Sequence, residues 1–343
     1  MYDMFYIGKD RNFMKGGNIM VTRFAAFLGV LIGSWFVVTS SVSADEKPIS
    51  ISLKLAPEIL RIVEGNQATL ERVKTMQARI KTVATESFGP NYDLDLPWGD
   101  AKRLPKGSRQ LMTVQRIQFD GTHLRKDMLQ SKFTGKETEP LLVSEHKEGN
   151  EIHKGYFSPP PVGEVEIDSN DFGIDYYPPN NTIFVRTGQW SNRYKINAND
   201  LLKYQSERRG SLRENVLLYA KNGYYFTTQR QRVGGDDCIL LECDYANPES
   251  TLRIWVVPSK GYCVKKMQDL SEGKVTEEYI TTLREYSGGI WWFDSVKAKW
   301  ARQNRGSSSE LSVDSLIFNK SIDGKVFTIA GVEVPLCGTR LNK

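Results

Sequence analysis

The chain has 343 residues, of which 40% are hydrophobic and 25% are charged, a composition ordinary for a soluble globular protein with a substantial core. The formal net charge is only +5, and we find no block of five or more basic residues, so nothing in the sequence points to a nucleic-acid-binding protein.

The first predicted element is a secretion signal. Met20-Val-Thr-Arg23 precedes an apolar run over 24–38, and small and polar residues then lead to Ala44. This order is typical of a cleaved signal peptide, and the run is shorter than the about 20 residues that a membrane span needs. We therefore predict a signal peptide at 1–44, starting at Met20 and cleaved after Ala44, with a retained anchor as the alternative.

The mature chain, 45–343, is then expected to be exported and periplasmic, soluble or peripheral to a membrane. We expect it to form one domain and to be a monomer. Its first helical pattern begins at Pro57. Apolar residues recur at spacings of three and four as far as Val83, interrupted at Gly65-Asn66, which predicts an amphipathic helix packed on the core.

Two stretches rich in Gly, Pro and Asp, 89–109 and 158–181, are predicted to be long loops inserted into the domain. Between them, Asp120-Gly121 separates two strand-like runs and predicts a hairpin over 110–130. A second hairpin is expected over 140–157. A strand over 182–190 and two short helices, opening at Asn199 and at Ser211, follow it.

The longest regular pattern is the meander from Tyr224 to Trp300. Six strand-like runs follow one another, separated by short turns such as Gly234-Gly235-Asp236 and Pro258-Ser259-Lys260-Gly261. Runs of this length and spacing predict an antiparallel sheet that curls into a barrel or half-barrel. A last strand is expected over 311–318, followed by a turn over 319–324 and another extended segment over 326–334.

Several strands of the meander carry large apolar residues on both faces, whereas a sheet with one wet face alternates cleanly. We infer that both faces are covered, one of them by helices and the other by a second layer or by a bound apolar molecule. If an apolar molecule is bound there, we expect seven apolar residues to line its site: Ile239, Leu241, Leu252, Ile254, Trp255, Ile290 and Trp292.

The four cysteines are Cys238, Cys243, Cys263 and Cys337. An even number in an exported protein permits two disulfides with unknown pairing, and buried free thiols are the alternative. Cys238 and Cys243 are five residues apart and face opposite sides of a regular strand, so they are not expected to pair with each other.

The sequence shows no catalytic motif, and the protein is not expected to be an enzyme or to hold a cofactor. The three histidines, His123, His146 and His153, do not have the spacing of a metal site. Asp236-Asp237 occupies a Gly-rich turn, where solvated turn chemistry explains the pair better than acid–base catalysis.

The order of elements resembles the lipoprotein-sorting carrier superfamily of bacterial envelopes (LolA/LolB-like). Three segments carry this resemblance: the helical run ending at 76–83 with the strand pair over 112–127, the strand–Pro–Gly–strand hairpin over 252–266, and the closing strands over 279–291 with Asn319, Ile322 and Phe327. Together they span most of residues 56–335.

This resemblance implies an α+β fold in which a strongly curved antiparallel half-barrel has helices covering its concave face. It also implies a non-enzymatic protein that binds a lipid or a lipoprotein acyl chain in an apolar cavity. The alternative is an envelope interaction or sensor module with a filled core, which would have a protein partner and no lipid ligand.

Overall fold

The computed structural model describes residues 55–88, 107–148, 151–169, 172–187, 212–245, 250–302, 305–332 and 340–342. The predicted signal peptide, Ala44 and Cys337 therefore lie outside the described residues, as do most of the predicted loop at 89–109 and the helix predicted at Asn199. Within the described part of the chain, no helix is both long enough and apolar enough to cross a membrane.

The elements follow the chain in three groups, here numbered in order. The first group is helix α1 (Pro57–Glu71) with strands β1 (Met76–Phe88), β2 (Gly107–Phe119), β3 (His123–Phe133), β4 (Leu141–Glu148) and β5 (Glu151–Phe157). The second is β6 (Val165–Ser169), β7 (Phe172–Tyr177), β8 (Thr182–Thr187) and helix α2 (Leu212–Lys221). The third is β9 (Thr227–Val233), β10 (Asp236–Asp244), β11 (Ser250–Val257), β12 (Cys263–Ser271), β13 (Lys274–Tyr286), β14 (Ile290–Arg302), β15 (Arg305–Phe318) and β16 (Arg340–Asn342).

Fourteen of the described strands form one sheet, in the order β16-β8-β7-β6-β3-β2-β1-β15-β14-β13-β12-β11-β10-β9. Every neighbouring pair is antiparallel except β16 and β8, which are parallel. The order is that of an open sheet with β16 and β9 at its ends. This large antiparallel sheet with helices agrees with the predicted α+β class, and the meander over 224–300 is confirmed as β9–β14.

Both predicted hairpins are confirmed as β2–β3 and β4–β5, and the second of the two predicted short helices is confirmed as α2. Three other predictions are wrong. The predicted loop over 158–181 contains β6 and β7, and the predicted loop over 89–109 overlaps the start of β2 at Gly107. The segment expected to be extended at 326–334 instead forms 3-10 turns at Gly324–Phe327 and Ile329–Gly331.

The predicted helix that continues to Val83 is also wrong. α1 runs through Gly65 and Asn66 without interruption and ends at Glu71, and the chain then becomes β1. The buried residues of β1 alternate, and three of them are Met76, Ala78 and Ile80. Because two alanines, Ala78 and Ala84, occupy this buried face, its period of two is masked by the stronger apolar signal at Met76, Ile80 and Val83.

Candidate functional site

The face of the sheet that contacts both helices, here called the inner face, is the candidate site. α1 contributes Ile59, Ile62 and Val63, and α2 contributes Leu212 and Val216, all buried against the sheet. They pack on alternate residues of β10, β11 and β12, which are Ile239, Leu241, Leu252, Ile254, Val256, Val264 and Met267. The helices therefore cover one apolar region of the sheet.

The same face continues across β14, β15, β1, β2 and β3. Cross-strand register connects the two regions through β13, because Tyr279 pairs with Met267 of β12 on one side and with Ala298 of β14 on the other. This second buried cluster contains Met76, Ile80, Ile117, Phe119, Leu124, Ile290, Trp292, Phe293, Val296, Leu311 and Phe318. Leu70 and Val73, at the end of α1 and just after it, pack into it, so α1 contacts both clusters.

The structure brings six of the seven predicted ligand-lining residues to these two clusters. Ile239, Leu241, Leu252 and Ile254 lie under the helices, and Ile290 and Trp292 belong to the second cluster.

Trp255 is different, because it lies on the opposite face with Cys238, Leu240 and Val257. Its indole Nε1 donates to Gln231 Oε1 at 2.8 Å, and the Lys266 ammonium lies over its ring, at 5.2 Å from the ring centroid. The seven residues therefore cannot line a single site.

α1 is attached to the sheet by polar side chains that reach backbone carbonyls of two turns. Asn66 Nδ2 donates to Tyr262 O at 3.0 Å, and Thr69 Oγ1 donates to Gly261 O at 3.0 Å. Three residues after Thr69, Arg72 donates to Gly289 O at 3.1 Å and also to Gly288 O, both in the turn between β13 and β14. These three residues follow one another at intervals of three, so a single stripe of α1 makes all of these attachments.

Beyond Leu124, the inner face changes from apolar to charged. Lys126 lies two residues further along β3 and pairs in register with Ile117 of the apolar cluster and with Glu166 of β6. Glu166 and Asp168 share this face with Asp175 of β7 and Arg186 of β8. We call these five residues, Lys126, Glu166, Asp168, Asp175 and Arg186, the charged cluster.

Ion pairs connect the charged cluster. Lys126 Nζ lies 3.0 Å from Glu166 Oε2, Arg186 Nη2 lies 2.8 Å from Asp168 Oδ1, and Arg186 Nε lies 2.9 Å from Asp175 Oδ2. The cluster has three carboxyl groups and two cations. Burial and the neighbouring Glu166 charge raise the pKa of Asp168 to about 6.

The pKa of Glu166 moves the other way. Burial opposes its charge, but Lys126 outweighs that effect, and the pKa falls to about 2. Glu166 therefore stays ionised, whereas Asp168 holds its proton more tightly than an ordinary aspartic acid does.

Sequence reasoning did not find the charged cluster. Glu166 and Asp168 fall in a stretch whose acids and prolines were interpreted as loop residues. The signal that could have found them is the alternation Val165-Glu166-Ile167-Asp168, in which buried apolar residues alternate with the two acids.

Cys238 and Cys243 are buried free thiols, as expected of residues on opposite faces of β10. The Cys263 thiol lies 3.4 Å from Trp291 O. His146 and His153 are opposite each other in the β4–β5 register. Among the described residues, no group of three or more His, Cys, Asp or Glu side chains is placed to hold a metal ion.

No family model matches the sequence, and no curated protein matches it. Solved structures similar to the chain include one described as an outer membrane lipoprotein-sorting protein domain from Vibrio parahaemolyticus, with 12% identity and a TM-score of 0.43. That likeness covers 80% of this chain and 97% of the other.

A LolA superfamily protein from Nitrosomonas europaea is 11% identical with a TM-score of 0.38, over 79% of this chain and 97% of that one. A DUF1329 family protein from Desulfovibrio piger is 10% identical with a TM-score of 0.40, over 80% and 99%. The superfamily that the sequence resembles is thus named among the structures similar to this chain.

Proposed function

We propose that this protein is an exported, non-enzymatic carrier that binds the acyl chain of a lipid or lipoprotein on the inner face, beneath α1. In this proposal the sheet curves as a half-barrel and α1 with α2 covers its concave side. The observation that carries the proposal is the continuous apolar inner face, which extends over two buried clusters while α1 is attached mainly along one stripe. The order of elements in the sequence, which resembles the lipoprotein-sorting superfamily, supports the same proposal.

The mechanism is passive. Each methylene group that leaves water contributes about 0.8 kcal/mol, so a chain of a dozen methylenes supplies roughly 10 kcal/mol before the entropic costs of binding. Because Ile59, Ile62 and Val63 of α1 now occupy the surface over the apolar strands, an acyl chain enters only when α1 moves. The ligand therefore replaces the contacts that α1 makes with the apolar strands when the helix is docked on the sheet.

The polar attachments of α1 set the rate of this exchange. Asn66, Thr69 and Arg72 all bond to backbone carbonyls, which stay in place when the helix leaves. Each such hydrogen bond contributes about 0.5–1.5 kcal/mol, and bonds from a charged donor contribute more. The helix is thus held by contacts that break and re-form without rearranging the sheet.

Native mass spectrometry of the protein purified from its own envelope without detergent tests the proposal. We expect a co-purifying lipid mass that organic extraction removes, and uptake of a fluorescent dansyl fatty acid by the extracted protein. A clean mass together with no uptake of the probe would contradict acyl-chain binding and would favour the protein-interaction module.

A variant of α1 sharpens this test. Arg72→Met removes the bonds to Gly288 and Gly289, and we expect the dansyl fatty acid to dissociate about threefold to thirtyfold faster. Arg61→Met is the matched control, because Arg61 is exposed on α1 and its guanidinium lies 3.7 Å from Glu58 of the same helix. Equal dissociation rates for the two variants would show that α1 does not gate the site.

A further inference from the structure

A groove of about 400 Å³ lies where β13 begins, β14 ends, β15 begins and β1 ends, and we call it the rim groove. Four of its residues, Thr85, Ser308, Lys299 and Glu278, are direct cross-strand neighbours in one row over four strands. This row alternates with Ala84, Ser309, Ala298 and Tyr279, which belong to the inner face. The rim groove therefore opens on the face opposite the proposed acyl site.

Small side chains create the depression. Gly306, Ser307 and Ser308 of β15 and Thr85 and Ser87 of β1 form one side of it. The next row along the strands holds the longer Lys297 and Glu310, whose charged groups lie 3.5 Å apart. A groove of this volume is within the range of small-molecule sites, about 300–1,000 Å³.

The lining residues offer a particular set of chemical groups. Four lining residues on this face carry hydroxyl groups, each of which can both donate and accept a hydrogen bond: Thr85, Ser87, Thr276 and Ser308. Val275, which is 47% exposed, adds apolar surface. Several hydroxyl groups beside apolar surface suit a sugar, whose ring presents hydroxyl edges and C–H faces.

The rim groove carries more positive than negative charge. Lys266 Nζ lies 3.1 Å from Glu278 Oε1, and Gln268 Nε2 donates to the same oxygen at 2.6 Å. Burial alone would raise the pKa of Glu278, but these contacts and the charge of Lys299, its cross-strand partner, hold the pKa below its usual value. Two ammonium groups therefore face one carboxylate, and the exposed Lys299 presents the excess positive charge to the groove.

We propose that the rim groove binds an acidic saccharide, with a sugar carboxylate on the Lys299 ammonium and ring hydroxyls on Thr85, Ser87 and Ser308. A single ammonium matches a single carboxylate, whereas phosphate sites usually gather several cations or backbone N–H groups. The site is independent of acyl binding, because it uses the other face of the sheet and shares no residue with the inner clusters.

Isothermal titration calorimetry on the full chain tests the proposal, with trigalacturonic acid as the acidic probe and maltotriose as the neutral one. We expect the acidic trisaccharide to bind at least tenfold more tightly than the neutral one. Lys299→Met should weaken trigalacturonate binding at least tenfold, as expected for the loss of one charge-assisted hydrogen bond, and Lys299→Arg should restore most of it. Ser308→Val should weaken both sugars.

Lys297→Met is the matched control, because Lys297 lies on the same strand and face but already pairs with Glu310. An equal loss of binding in Lys297→Met and Lys299→Met would overturn the site, since surface charge alone would then explain the affinity. Equal affinity for the two sugars, or no heat with either, would overturn it too. Thermal unfolding of each variant establishes that the sheet is intact, and the surface position of Lys299 makes its loss compatible with folding.

Discussion

Arg186 contacts two carboxylates, Asp168 and Asp175, and its position depends on the absence of a side chain at Gly173. A β-carbon at Gly173 would lie 2.6 Å from the Arg186 guanidinium carbon, so the arginine lies directly across the glycine. The guanidinium is thereby shared between neighbouring strands. The pKa of Asp168 is nevertheless raised, because burial and the charge of Glu166 on the same face both disfavour its ionised form.

This arrangement predicts a pH dependence of stability. The pKa of Asp168 rises from 3.8 to about 6 on folding, so the folded state binds this proton more tightly than the unfolded state. The stabilisation is complete below about pH 4 and is lost as the pH rises to about 6. We expect Asp168→Asn to become more stable relative to the natural protein over this interval, by up to about 3 kcal/mol, measured by urea unfolding at several pH values.

Glu166→Gln is the informative companion variant. It removes the charge that raises the pKa of Asp168, and it leaves Asp168 within 2.8 Å of Arg186. We expect its unfolding free energy to fall less between pH 4 and pH 6 than that of the natural protein. A pH profile unchanged in both variants would show that the two carboxyl groups do not interact in the folded state.

At the scale of the element, α1 lies against the sheet at a position where a larger residue does not fit. A β-carbon built on Gly65 would lie 2.3 Å from the Tyr262 ring, and Tyr262 itself has a φ of +56°, in the left-handed region. Thr69 occupies the space over Gly261 in the same way, at 2.2 Å from a β-carbon built there. Glycine at these positions thus permits the close approach of α1 to the β11–β12 turn.

Gly65→Ala is therefore expected to destabilise the docked helix although alanine is the better helix former. The intrinsic gain is about 1 kcal/mol, and the contact with Tyr262 should exceed it, because overpacking typically costs about 1–3 kcal/mol. Hydrogen–deuterium exchange over α1 measures the outcome, with faster exchange expected. Glu64→Ala, at an exposed position of the same helix, serves as the control; slower exchange in Gly65→Ala would refute the close packing.

The elements also show which parts of the fold the sequence could predict. The hairpin at Asp120-Gly121 and the meander were predictable, because turn residues and alternation are local signals. β1 was not, because its inner face carries the small Ala78 and Ala84, and burial there depends on partners more than 200 residues away in β15. Trp255 was assigned to the site although it alternates with Ile254, since the apolar residues on both faces gave no sign of which face the helices cover.

At the scale of the whole molecule, one strand pair joins two halves of the sheet. One side consists of β1, β2, β3, β6, β7, β8 and β16, and the other of β9 to β15; the β1–β15 ladder connects them over the full length of β1. α1 reaches both halves, since Leu70 belongs to the buried cluster that contains Ile117 and Phe119 of β2, while Ile62 packs on β10–β12. The site beneath α1 therefore exists only when both halves are assembled.

The segment after β15 crosses the opposite face of β3, β6 and β7 and ties the first half together. Arg125, 5% exposed, donates from Nη1 to Val326 O at 2.6 Å and to Gly331 O at 2.8 Å. Its Nη2 and Nε donate to Asp127 Oδ1 at 2.6 and 2.8 Å. Phe327 is buried against Ile167, Ile174 and Ile183, and its ring stacks on His123 at a centroid distance of 5.4 Å.

Phe327→Ala is expected to lower the free energy of unfolding by about 3–5 kcal/mol, the usual cost of deleting a buried phenylalanine, and to expose the segment to proteases. Ile329→Ala is the matched control, because Ile329 lies two residues away and is 42% exposed, so we expect a loss below about 1 kcal/mol. Denaturant unfolding and limited proteolysis measure both effects. If the segment contributes little to stability, the two variants will have the same free energy of unfolding. If it shields the strands that carry the charged cluster, Phe327→Ala alone will also change how the free energy of unfolding depends on pH through Asp168.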